Sequence, residues 1–198
     1  TVWEQSTVAE TTTLHSAFMM LLTLIGFRLA SGKIVWRNET CSLVLFSFLY
    51  GLSMTNHVAG VFFVPSFIYL FLAVYGMRIL APRLLLKMIG ACLLGALVYL
   101  YLPIRSLADP ILDWGNPETF ENFWWVVTAK QFAPNFKTEV NLLSTLWHLV
   151  LTGQNLLHQY SIVGCALGVL GLPYLLRNQR RYVIFSFFVI AILFYIGL

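Results

Sequence analysis

Apolar residues along this chain come in long unbroken stretches. Six stand out, near Thr13–Leu29, Ser42–Asn56, Gly60–Gly76, Met88–Ile104, Ser161–Leu176 and Tyr182–Leu198. Each approaches the roughly 20 residues that carry an α-helix across a hydrocarbon layer. None alternates apolar and polar positions at period two, which argues against a membrane barrel. In lipid, backbone polar groups must bond within their own segment, so helices are the default. The pattern predicts an all-α fold: a polytopic transmembrane helical bundle of about six spans plus interfacial helices, forming one transmembrane domain over residues 1–198.

The connection Arg105–Tyr160 is much longer than the others, and long connections are disproportionately functional. It divides in three. Arg105–Glu118 is rich in turn formers: Asp109-Pro110, Asp113, Gly115 and Asn116-Pro117. Thr119–Phe132 is aromatic and reads as a short helix, with Thr119 as N-cap and Asn122 three residues on. Asn141–Tyr160 is amphipathic: Leu142, Leu146, Leu149, Val150, Leu156 and Leu157 share one side, and Ser144, His148, Gln154 and His158 are polar. It is expected to lie at the interface, a spanning placement being the alternative.

Composition fixes the solvent. The 198 residues are 59% hydrophobic and only 10% charged, against about 25% charged in soluble domains. So few charges cannot cover a water-soluble surface, and the lipid bilayer is the expected environment. The net charge of +4 does not point to nucleic acid, because the basic residues sit in short clusters between apolar runs. Arg28, Lys33 and Arg37 lie in the first connection, Arg78, Arg83 and Lys87 in the third, and Arg177, Arg180 and Arg181 in the fifth. The acids Glu4, Glu10, Asp109, Asp113, Glu118, Glu121 and Glu139 fall in the alternate set, leaving only Glu39 among the basic connections. By the positive-inside rule the basic connections are cytoplasmic. The segment Arg105–Tyr160 and the turn at Asn56-His57 then face the opposite side.

Cys41, Cys92 and Cys165 form no CxxC pair and read as small apolar packing residues. His15, His148 and His158 show no metal-ligand spacing, so no protein-only metal site is expected. Gly90, Gly95, Gly164, Gly168 and Gly171 suggest close helix packing, and Pro65 and Pro173 are positions where spans could kink. The chain begins at Thr1 and ends within an apolar run, and reads as a piece of a longer protein. Short connections favour a bacterial inner membrane, with the endoplasmic reticulum membrane as the alternative.

A series of short motifs resembles a known family. Gln5-Ser6-Thr7-Val8-Ala9-Glu10 leads into Leu14-His15, and Gly51-Leu52-Ser53-Met54-Thr55-Asn56-His57 precedes a span containing Pro65. Tyr101-Leu102-Pro103-Ile104-Arg105-Ser106 follows, then Pro110, Asp113-Trp114-Gly115-Asn116-Pro117-Glu118-Thr119, Phe123-Trp124-Trp125 and Gln131-Phe132. In this order, over roughly Thr1 to Phe132, they resemble the transmembrane O-mannosyltransferase-like family, within the GT-C glycosyltransferases. That resemblance implies a GT-C-like fold, a polyprenyl-phosphate sugar donor and a protein or lipid acceptor. Two departures matter. Glu10-Thr11-Thr12 stands where the family reads Glu-Val-Tyr. The family's catalytic acidic residue lies in the first outer loop, so the presumed base falls upstream of residue 1.

The remaining residues suit parts of such chemistry. Arg105 follows a span directly, on the side opposite the basic connections. It can contact a phosphate or headgroup, snorkel, or pair with Asp109 or Asp113. Glu10 precedes the first span, either as a solvated acid favourable to the helix dipole or as a second carboxylate at the site. His57 stands at an outer turn, structural or substrate-binding. Trp114 sits in a turn where its ring can stack on a sugar or lipid headgroup, whereas Trp124, Trp125 and Trp147 fit an interfacial aromatic belt. Lys130 and Lys137 read as solvated charge. No cofactor is implied within this stretch, and a divalent cation in the longer protein stays open. The competing classes are a transporter or flippase of lipid-linked sugars, which the nearly charge-free span interiors disfavour, and a noncatalytic membrane scaffold.

The topology makes one direct prediction. Asn38-Glu39-Thr40 is an N-glycosylation sequon on the cytoplasmic side, so in microsomal membranes it stays unmodified. An endoglycosidase-sensitive mobility shift traced to Asn38 would invert the assigned orientation.

Overall fold

The computed structural model describes residues 11–111, 113–130 and 142–197. Every regular element among them is helical. Helix α1 spans Thr11–Ala30 and α2 Glu39–Asn56. Helix α3 (Val64–Tyr75) is extended by 3-10 turns at Val58–Phe63 and Gly76–Leu80. Helix α4 (Pro82–Ala96) continues through a 3-10 turn into α5 (Tyr101–Ser106). Helices α6 (Phe120–Val127), α7 (Leu142–Asn178) and α8 (Arg180–Gly197) follow. Four helical stretches are long and apolar enough to cross a membrane: Thr13–Ala30, Val58–Leu80, Pro82–Ser106 and Tyr160–Asn178.

Local sequence explains most boundaries. Helix α1 stops at a Schellman arrangement, in which Gly32 N–H donates to the Leu29 carbonyl and Lys33 N–H to the Arg28 carbonyl. Gly32 takes the left-handed conformation, φ +72°, that this stop requires. Helix α2 starts three residues before the expected Ser42, because the Asn38 side chain accepts the Cys41 N–H at 2.8 Å. Pro82 occupies the first turn of α4, where a missing N–H costs nothing. That helix therefore begins six residues before the expected Met88, and Arg83 and Lys87 are helical residues rather than part of a connection. Pro65 likewise opens α3 instead of kinking it, while Pro173 lies inside α7. Helix α7 is broken at Ser161, whose φ of 59° and ψ of 167° are not helical. The break falls at the expected junction between Asn141–Tyr160 and the span beginning at Ser161.

The core lies between α1, α2, α3 and α8. Leu22, Ile25 and Leu29 of α1 meet Leu43 and Phe46 of α2, Phe67, Leu70 and Phe71 of α3, and Phe185 of α8. Aromatic edges set much of this packing. Phe46 meets Phe67 and Phe71 edge-on at 5.0 and 4.9 Å between ring centres, and Phe185 meets Phe27 at 5.3 Å. Such pairs stabilise by about 0.5–1.5 kcal/mol beyond the area they bury. Outward faces carry exposed Leu86, Leu93, Leu97 and Ile104 on α4 and α5, and Leu167, Val169 and Leu170 on α7. Apolar surface of this extent fits lipid and would drive aggregation in water.

Helix α4 packs on the back of α2, running parallel to it. A Cβ at Gly51 would sit 1.9 Å from the Cys92 carbonyl oxygen, and one at Gly95 would sit 2.2 Å from the Phe48 carbonyl oxygen. The two glycines thus let the backbones touch. Of the glycines expected to mediate packing, only Gly95 does so. Gly90, Gly168 and Gly171 face open space, and Gly164 meets only Tyr160 of its own helix. Further along, the Tyr99 hydroxyl donates to the Met54 carbonyl.

The fold also sorts charge by end. Ser31, in the first basic connection, hydrogen-bonds Tyr182, beside Arg181, at 2.8 Å. Tyr75, just before the Arg78 turn, donates to the Leu29 carbonyl at 3.5 Å. The three basic connections therefore share one end of the bundle.

Replacing either close-approach glycine must push α2 and α4 apart. Gly51→Ala and Gly95→Ala are each expected to cost at least about 1–3 kcal/mol, the usual penalty of overpacking. Gly90→Ala should be neutral or stabilising. Thermal unfolding in detergent checks the contrast, which fails if all three variants melt alike.

Candidate functional site

The end opposite the basic connections collects two polar clusters. The first begins at Ser106, the last residue of α5 and almost fully buried. Its hydroxyl donates to Asp113 Oδ2 at 2.7 Å, with Asn116 Oδ1 at 3.3 Å. Asn122 Nδ2 donates to the Asn116 carbonyl at 2.8 Å. Thr119 caps α6 as expected, accepting the Asn122 N–H at 3.2 Å. Gly115 has φ +74°, and a Cβ there would lie 2.6 Å from Val126 and 3.3 Å from the Trp125 ring. The turn Asp113–Pro117 is therefore laid on α6 and tied to the end of α5.

This arrangement decides between readings left open by the sequence. Asp113 braces its turn by accepting from Ser106. Neither Asp113 nor Asp109 forms an ion pair with Arg105 among the described residues, and Arg105 is exposed in the last turn of α5. Its guanidinium is thus available to an external anion beside the folded turn. Trp114 is 70% exposed, against 49% for Trp124 and 38% for Trp125, so it presents the freest indole in the cluster. Phe120 and Trp124 stack nearly parallel, 6.3 Å between ring centres and 14° between planes.

The second cluster forms where α2 ends. His57 is extended, with φ −154° and ψ 121°, and its Nδ1 accepts the Ala59 N–H at 3.1 Å. That bond leaves the ring proton on Nε2 as a donor. The His15 ring from α1 lies 4.9 Å from the His57 ring. His15 Nδ1 is buried and without a hydrogen-bond partner. Around them, Tyr50 donates to the Gly60 carbonyl and Phe63 meets His15 edge-on. His15 also lines a cavity of about 620 Å³ along α1, with Met19, Met20, Leu24, Phe27 and Val189 among its other walls. A buried polar atom without a partner is rare enough to mark a place for a missing one.

Of the residues singled out in the sequence, Arg105 and Trp114 are brought together through Ser106 and Asp113. His57 is paired instead with His15. The Tyr99–Met54 bond holds both clusters at one end. Glu10 lies outside the described residues, as does Lys137. Sequence reasoning missed His15 and Ser106. A histidine within an apolar run was a readable signal for the first. A serine closing a span carries none, because its role depends on Asp113 seven residues on.

Removing the Ser106 hydroxyl leaves Asp113 without its internal donor. Ser106→Ala should therefore free the turn at a cost of about 1.5–3 kcal/mol, typical of hydrogen bonds to charged groups. Limited proteolysis between residues 107 and 119 should be faster in the variant, and equal rates would refute the brace.

Compared with protein-family models, with curated proteins and with solved structures, the chain matches none.

Proposed function

We propose that this chain is part of an integral-membrane glycosyltransferase of GT-C type. It transfers a sugar, with mannose the first candidate, from a polyprenyl-phosphate donor to a protein or lipid acceptor on the side away from the basic connections. The reading includes six spans: the four long apolar stretches together with α2 and α8. The observation that carries it is the unpaired, exposed Arg105 held beside the Trp114 turn by the Ser106–Asp113 hydrogen bond.

The chemistry follows from the bonds that change. The acceptor oxygen attacks the sugar's anomeric carbon, the bond from that carbon to the phosphate oxygen breaks, and the phosphate leaves with the electron pair. The acceptor's proton goes to a carboxylate. Family resemblance implies that base in the first outer loop, with Glu10 as a second carboxylate orienting the acceptor. Arg105 suits the departing phosphate, because a guanidinium forks onto two oxygens and stabilises charge as it develops. Trp114 offers a flat apolar face to the sugar ring. His57, through Nε2–H, and His15, through its unpartnered Nδ1, suit the polar groups of a lipid-linked donor whose chain runs down the apolar cavity that His15 lines. The charge-free walls of that cavity favour binding over ion-coupled transport.

The test is a transfer assay on the full-length protein in lipid, with radiolabelled polyprenyl-phosphate hexoses. Arg105→Ala and Trp114→Ala should each reduce transfer at least about 100-fold, the loss typical of removing a transition-state charge partner, while the protein stays folded. Glu10→Gln should slow turnover, and an unchanged rate removes Glu10 from the site. Full activity in both the Arg105 and Trp114 variants would sink the assignment. Absence of incorporation with any donor would favour transport or scaffolding.

A further inference from the structure

The close approach of α2 and α4 has a geometric consequence at the basic end. The two helices run parallel and touch where Gly51 meets Cys92 and Gly95 meets Phe48. Toward their N-termini they part, leaving a wedge of about 390 Å³ lined by Trp36, Thr40, Cys41, Val44, Lys87, Gly90, Ala91 and Leu94. The floor of the wedge is apolar, and Lys87 is the cation among its lining residues. A Cβ at Gly90 would meet nothing within 4 Å, so the floor is open there.

Lys87 is the unusual member. It lies inside the apolar stretch Pro82–Ser106, is exposed, and forms no ion pair among the described residues. A charge within such a stretch calls for a counter-charge or an exit to water. Its neighbours do not supply one. Arg83 stands one turn before it and Arg37 lies beside Trp36, both exposed. Glu39 is the single acid in the basic connections and is not bonded to Lys87. The Trp36 backbone is held in place, because buried Ser42 accepts the main-chain N–H groups of Val35 and Trp36 at 3.1 and 2.9 Å. The rim therefore combines an exposed indole on an anchored backbone, a ring type that favours headgroup level, with an unpaired ammonium.

We propose that this wedge binds one anionic glycerophospholipid. Its phosphate pairs with Lys87, supported by the field of Arg37 and Arg83, and its acyl chain lies over Val44, Gly90, Ala91 and Leu94 beneath Trp36. Basic pockets between membrane helices on the positive side recognise anionic headgroups in this way. Simple snorkelling of Lys87 requires neither a cleft nor a choice of lipid. The site lies at the end remote from Arg105 and Trp114 and is independent of the glycosyltransferase reading.

The full-length protein in nanodiscs tests it. Brominated-chain phosphatidylglycerol or phosphatidylcholine is added at equal fractions, and quenching of Trp36 is isolated by subtracting a Trp36→Phe variant. Phosphatidylglycerol should quench Trp36 with a roughly fivefold preference, about what one lysine contributes near an anionic surface. Lys87→Gln should abolish the preference. Gly90→Leu fills open space and should fold, but it should reduce quenching by both lipids. Equal quenching by both lipids in the unaltered protein would overturn the proposal, as would a preference that survives both substitutions.

Discussion

A chain bathed in hydrocarbon has no water to satisfy its backbone, so each N–H and C=O must bond along its own helix. That constraint orders the rest of this molecule. It makes the described elements helical, turns large leucine, isoleucine and valine side chains outward, and confines most charge to the helix ends. Within the core, cohesion then comes from shape: aromatic edges around Phe46, Phe67 and Phe185, and bare backbone contact at Gly51 and Gly95. Hydrophobic burial cannot supply it alone, because lipid is as apolar as the residues it would replace.

Confinement of polar groups to the ends gives the bundle two chemically different faces. One gathers nine basic residues, from Arg28 to Arg181, with Glu39 as their single acidic neighbour. The other gathers histidines, the Ser106–Asp113–Asn116 network and exposed indoles. Arg105 breaks the first pattern by standing with the second group. An exposed cation that forms no ion pair among the described residues, beside a turn whose Asp113 carboxylate is already engaged by Ser106, is the feature that most invites an external anion. The same logic applies to Lys87 at the other end, where Arg83 and Arg37 leave it no internal counter-charge.

Parallel contact between α2 and α4 links packing to both faces. At mid-height the glycines bring the backbones together. Toward the polar end Tyr99 reaches Met54 and steadies the segment that ends in Ser106. Toward the basic end the helices diverge into the wedge at Trp36 and Lys87. One crossing point thus positions two candidate binding regions, with backbone against backbone at the contact itself.

Much of the architecture was legible in the sequence. Apolar run length placed the helices, and hydropathy reports burial in lipid whatever the partners. Thr119 announced the start of α6, and the break at Ser161 fell where the amphipathic pattern gave way to a uniformly apolar one. Helix starts at Asn38 and Pro82 were set by local caps that the apolar pattern overlooked. What the sequence could not determine was which residues meet. Gly51 and Gly95 are in contact while Gly90 and Gly168 are not, since a glycine's role depends on the helix opposite. His15 joins His57 only because α1 and α2 present those ends together, and Ser106 joins Asp113 only because the turn folds back onto the end of α5. Periodicity within one segment encodes its own exposed and apolar sides; the pairing of segments is a property of packing between them, and that pairing belongs to the tertiary structure.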